Sequence, residues 1–130
     1  MRYLSYSEAI VLHIELMRSY GETRFGIAFT ELIHSALARP LQAKNYENAS
    51  IFRQAATLCF GLIKNHPWVG GNKRTATHLT ETFLLMNGWE MNASLTEIIE
   101  LSLAIEADQV NFEEIEFWFQ THTKQSSEIS

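Results

Sequence analysis

Apolar side chains recur at three- and four-residue spacings along most of this chain, the pattern of helices that each bury one face. Ser7 is the expected N-cap of a first helix, whose Ile10, Ile14 and Met17 share a face before Tyr20-Gly21 ends it. Residues 22–29 show no period and read as loop. Thr30 is expected to cap a short helix through Leu32, Ile33, Ala36 and Leu37, which Pro40 closes. Residues 41–46 then form a polar connection that suits a hairpin or flap. A central helix follows, from Asn48 or Ser50 to Lys64. Its apolar stripe is Phe52, Ala55, Ala56, Cys59, Leu62 and Ile63, with Ile51, Leu58 and Phe60 on other sides. A helix apolar on most sides belongs in the middle of a bundle. After a turn, Ala76, Leu79, Phe83 and Met86 mark another helix, stopped at Asn87-Gly88 by a left-handed cap. Trp89-Glu90-Met91 reads as a short extended piece. Two more helices are expected, from Ser94 to Ala107 and from Asn111 to His122. Asn111 and Glu114 have the spacing of a capping box.

The pattern predicts an all-α, compact helical bundle in one domain over residues 1–123, with a polar, frayed tail over residues 124–130. A chain of 130 residues with 46% hydrophobic side chains has enough apolar surface for such a core. Fifteen acidic residues against ten basic ones leave a net charge of −5, which disfavours general nucleic-acid binding. A local basic patch at Lys64, Lys73 and Arg74 is the residual argument for it. Cys59 is the only cysteine, so an intrachain disulfide is excluded, and its apolar neighbours suit a small buried hydrophobe better than a reactive thiol. The N-terminus lacks the apolar core of a signal peptide, and no apolar run is long enough to span a bilayer. The expected location is the cytoplasm, away from any membrane.

One segment concentrates chemistry: His66-Pro67-Trp68-Val69-Gly70-Gly71-Asn72-Lys73-Arg74-Thr75. Gly70 and Gly71 allow positive φ and a close approach of backbone to ligand. A helix starts directly after them, and its first amides and its dipole favour an anion there. Asn72 offers side-chain donors, Lys73 and Arg74 full charges, and Thr75 a cap or one more hydrogen bond. Such a set suits phosphate, and His66 just before it is the side chain best suited to take a proton from a hydroxyl near neutral pH. The same residues also fit an ordinary helix-to-helix turn with an exposed Lys-Arg pair. The segment is not a Walker A loop, for it has no Gly-Lys-Thr and no preceding apolar strand.

That segment resembles the active-site motif of Fic/Doc (Fido) proteins, and within them the death-on-curing branch, whose motif ends in Asn-Lys-Arg-Thr. His13, Tyr20-Gly21, Ala38-Arg39-Pro40 and Asn87-Gly88 also resemble residues of that branch, so the likeness runs roughly from Tyr3 to Phe119. The resemblance implies the Fic/Doc helical fold, with His66 as general base and Gly70, Gly71, Asn72, Lys73, Arg74 and Thr75 at the nucleotide phosphates. It implies ATP as donor, Mg²⁺ carried by the phosphates and water, a target protein such as a translation elongation factor, and a small antitoxin protein as partner. Fic proteins proper transfer AMP and usually carry a second arginine where this chain has Thr77; its absence favours phosphoryl transfer. The family also usually has an acid at the position of Gly70 that helps hold Mg²⁺. Glycine there points to the alternative of a weakened or inactive binding module.

Other residues carry less. His13 falls on the apolar stripe of the first helix and reads as a satisfied core histidine. His78 lies one turn after Arg74 and is a secondary candidate for overlooking the nucleotide, as is Thr77. No metal site built from histidine or cysteine is visible; His34 and His122 lack companions at ligand spacing. Trp118 and Phe119 suit core or interface packing. Glu97, Glu100, Glu113, Glu114 and Glu116 read as solvated helix faces.

Overall fold

A computed structural model describes residues Met1–Ser126. The elements in chain order are α1 (Tyr6–Ser19), α2 (Thr30–Glu47), α3 (Ile51–Asn65), α4 (Asn72–Met86), β1 (Trp89–Met91), α5 (Leu95–Glu106), α6 (Phe112–Thr121) and β2 (Thr123–Gln125). The fold is all-α, with one two-stranded antiparallel sheet in which Trp89 faces Gln125 and Met91 faces Thr123.

The middle of the bundle is α3, as its nearly all-round apolarity predicts. Ala55, Ala56, Leu58, Cys59, Gly61, Leu62 and Ile63 are all buried, and α2, α4, α5 and α6 pack around them. Burial pushes the Cys59 thiol up to about 12, so it stays protonated and inert. Three helices open on reciprocal capping boxes: Ser5 with Glu8, Ser94 with Glu97, and Asn111 with Glu114. Ser5 therefore starts α1, not Ser7. The residue two positions earlier has its glutamate at the required spacing, and each side chain satisfies the other's free amide.

Three expectations fail. Pro40 does not close a short helix: α2 runs through it to Glu47 and ends on Asn48 in the left-handed region, and no side chain caps it at Phe29. Pro40 is buried and α2 lies along α3, so packing offsets the backbone bond that proline cannot donate. The expected hairpin or flap at residues 41–46 is consequently helix. A single antiparallel bridge lies instead between α1 and α2, where Ile27 pairs with Trp68. Finally, Lys124 and Gln125 belong to β2 and are not frayed, while residues 127–130 of the expected tail lie outside the described residues.

Candidate functional site

Where α3 ends, His66 adopts the left-handed conformation (φ 46°, ψ 54°) and turns the chain toward α4. The turn is tied down from two sides. From within, Asn72 Oδ1 accepts from the Trp68 amide at 2.9 Å and its Nδ2 donates to the Trp68 carbonyl at 3.0 Å. From outside, the loop after α1 docks against it: the amide of Val69 donates to Gly26 O at 2.8 Å, and the amides of Ala28 and Phe29 donate to Pro67 O at 2.9 and 3.0 Å.

Beneath the turn lies His13, fully buried on α1. The Gly26 amide donates to its Nε2 at 3.0 Å, so that nitrogen holds a lone pair and the proton resides on Nδ1, which faces Thr75 Oγ1 at 2.9 Å. The imidazole also stacks on the buried Trp68 ring, centroids 4.1 Å apart. Desolvation lowers its pKa from 6.5 to about 4, keeping it neutral. The satisfied core histidine is therefore also the post joining α1, the docked loop and the start of α4.

Only one of the two glycines uses positive φ. Gly71 (φ +68°) is the N-cap of α4 and sits so close to α1 that an added Cβ would lie 2.5 Å from Met17 Sδ. Lacking a side chain, it leaves the first amides of α4 uncapped, and these point N-terminally out of the helix. Gly70 does not take positive φ; its requirement is space, since a Cβ there would stand 2.9 Å from the Arg24 carbonyl oxygen.

These pieces line a cleft of about 790 Å³. Its floor is the run from His66 through Gly70, Gly71, Asn72, Lys73 and Arg74, with Thr77 one turn on. Tyr20, Glu22 and Arg24 form one wall, and α5 contributes another. The Arg74 guanidinium lies 4.0 Å above the Tyr20 ring and 3.4 Å from Glu22 Oε1, which fixes it along the first wall. Glu106 at the end of α5 places one carboxylate oxygen 3.1 Å from Lys73 Nζ and 3.7 Å from His66 Nε2. The half-exposed imidazole and the ammonium thus face one carboxylate oxygen, and both residues line the cleft with Gly71 and Asn72 at the uncapped start of α4, a set suited to an anion with several oxygens.

The candidate residues separate accordingly. His66, Gly70, Gly71, Asn72, Lys73, Arg74 and Thr77 all line the cleft. Asn72, expected to offer side-chain donors, has its oxygen and amide nitrogen engaged with the Trp68 backbone and shapes the turn. Thr75, expected at the phosphates, is buried with its hydroxyl on His13, and His78 does not line the cleft. Thr77 Oγ1 donates to the backbone oxygens of Lys73 and Arg74. Lys64 does not line the cleft; Asp108 takes it up at 2.7 Å, and it also donates to the Glu106 carbonyl at 3.3 Å. Glu106 is the residue that sequence reasoning missed. Its only prior signal was α5 itself, an outer helix with apolar residues on both faces.

Gly70 contributes no carboxylate to the turn, Glu106 is engaged by Lys73, and among the described residues no three His, Cys, Asp or Glu side chains are grouped to hold an ion. No helix among the described residues is long and apolar enough to cross a membrane.

A model of the Fic/DOC family matches residues 3–84, from just before α1 to near the end of α4, and so includes the whole turn. Among solved structures, the chain is similar to the N-terminal Fic domain of a cell filamentation protein, a VirB-translocated Bep effector, from Bartonella quintana. The identity is 19% and the TM-score 0.54; the match covers 85% of this chain and 54% of that one. The chain thus spans about half the length of that relative, and at this identity the likeness concerns the fold. No curated protein matches.

Proposed function

The chain belongs to the Fic/DOC family, whose members are typically transferases, and from that premise we propose that it transfers the terminal phosphoryl group of ATP to a hydroxyl of a target protein. The observation that carries this reading is the convergence of His66, Lys73 and the uncapped start of α4 on one cleft. The amides of the first turn, with Lys73 and Arg74, hold the phosphates and spread the charge that grows on them. His66 Nε2 takes the proton of the attacking hydroxyl. The new O–P bond forms as the bond to the β-phosphate oxygen breaks, and ADP leaves. Positioning supplies most of the rate in such a reaction. Mg²⁺ would ride on the nucleotide's own phosphates and water, since Gly70 brings no carboxylate to the turn.

Thr77, one turn after Arg74, supports phosphoryl over AMP transfer. It puts a short hydroxyl, already bound to the helix backbone, where an arginine would reach the terminal phosphates. The motif's Asn-Lys-Arg-Thr ending supports the death-on-curing branch, and with it a toxin role restrained by a small antitoxin. Gly70 supports a second reading, a binding module that keeps the fold and loses transfer, because the Arg24 carbonyl occupies the space an acid's Cβ would need.

The test is incubation of the protein with cell lysate and ATP labelled separately at the α and γ positions, with His66→Ala as control. Label from γ alone, lost in the variant, is the expected result. Label from α means AMP transfer, and no label from either supports the binding module.

A further inference from the structure

The cleft carries a third cation besides Lys73 and Arg74. Arg24, in the loop between α1 and α2, lines it as they do. Lys73 faces the Glu106 carboxylate at 3.1 Å, and Arg74 faces that of Glu22 at 3.4 Å. Each of those two therefore meets an anion with part of its charge already balanced. Arg24 is exposed, and among the described residues no carboxylate pairs with its guanidinium.

The position of Arg24 is set through the backbone. Two residues on, the Gly26 amide donates to the buried His13 Nε2 at 3.0 Å, and the Gly26 carbonyl accepts from the Val69 amide at 2.8 Å. Phe25 sets its ring edge-on to the same imidazole. The Arg24 carbonyl oxygen stands 2.9 Å from where the Cβ of any larger residue at position 70 would begin. Glycine there has two effects at once. It leaves the turn without a carboxylate to anchor a metal ion, and it lets the backbone of an arginine close against the turn.

Resting on the phosphate-binding reading above, we propose that Arg24 binds the phosphates, and that its guanidinium balances their charge where a metal ion held by the protein would otherwise do so. A guanidinium presents a planar fork of donors that matches phosphate oxygens in pairs. Unlike Lys73 and Arg74, Arg24 gives up no ion pair when it engages the ligand.

Calorimetric titration of the intact chain with tripolyphosphate, in EDTA and in excess Mg²⁺, tests this without requiring turnover. The wild type should bind the metal-free polyphosphate at least as tightly as its Mg²⁺ complex, because the metal covers charge that the protein's cations would meet. Arg24→Gln should weaken metal-free binding about tenfold or more, the loss of one charge-assisted contact, and Arg24→Lys should recover part of it. Arg18→Gln removes the same charge from an exposed arginine outside the cleft and should bind as the wild type does. Mg²⁺ that tightens wild-type binding about tenfold or more would overturn the proposal. So would an Arg24→Gln protein with wild-type affinity, which leaves the cradle standing and strikes Arg24 alone, or an equal loss in Arg18→Gln. Failure of tripolyphosphate to bind the wild type in either buffer would instead remove the phosphate cradle, and the role of Arg24 with it.

Discussion

The His13 post makes a quantitative prediction about acid. Its imidazole is fully buried, receives the Gly26 amide on Nε2, and is surrounded by Thr75, Trp68 and Phe25, none of them charged. In the unfolded chain it titrates at its ordinary 6.5, and in the native state at about 4. Between those values the unfolded state binds the proton and the folded state does not, so stability falls as pH falls. The contribution is intact above about 6.5 and is lost progressively toward 4; below that both states are protonated and the loss stops. Each tenfold difference in proton affinity between the two states is worth about 1.4 kcal/mol. The whole loss is therefore about 3 kcal/mol, of which about 2 kcal/mol has gone by pH 5. The assay is urea unfolding of wild type and His13→Gln between pH 7.5 and 4. Subtracting the variant removes the acid dependence of the capping glutamates, common to both proteins. The wild type should lose stability more steeply by the stated amount, and the His13 ring resonances should stay those of the neutral form at pH 5. Parallel curves, or a His13 that titrates near 6.5, would refute the argument from burial.

Three other perturbations separate structural from chemical roles. Gly70→Asp supplies the acid common in the family, yet its Cβ would meet the Arg24 carbonyl, so the docked loop must move. We expect a loss of about 1–3 kcal/mol in unfolding experiments and no gain in transfer; a faster enzyme of unchanged stability would contradict this. Glu106→Gln removes the carboxylate facing Lys73 and His66. Tripolyphosphate should bind a few-fold tighter by calorimetry, and weaker binding would show that Glu106 helps to hold the ligand. Asn72→Ala deletes both ties to the Trp68 backbone and should cost about 1–3 kcal/mol in thermal or urea unfolding; a neutral effect would place its side chain elsewhere.

Much of the fold is legible because its signals are local. The capping boxes at Ser94 and Asn111, the all-round apolarity of α3 and the Asn87-Gly88 stop all act within a few residues. Pro40 misleads for the opposite reason: a local breaker is overridden by burial against α3, which no window along the chain contains. The candidate site divides similarly. The Gly-Gly-Asn-Lys-Arg turn is visible by composition, but its internal assignments are tertiary. Thr75 turns inward because His13, 62 residues earlier, meets it, and Asn72 folds back on Trp68. Glu106, 33 residues beyond Lys73, joins the site because α5 crosses beside α4. Leu95, Ile99 and Leu103 are periodic in the sequence, yet only the fold shows them lining a cleft and not a core.

The central claim is that the uncapped start of α4 and its two cations form a phosphate cradle within reach of His66. Amide and side-chain NMR during titration with ATP and Mg²⁺ reads this directly. We expect the largest shifts on the amides of Gly71, Asn72, Lys73 and Arg74, with the His66 ring moving at the same ligand concentration. Shifts scattered elsewhere, or a motionless turn at saturating nucleotide, would contradict it.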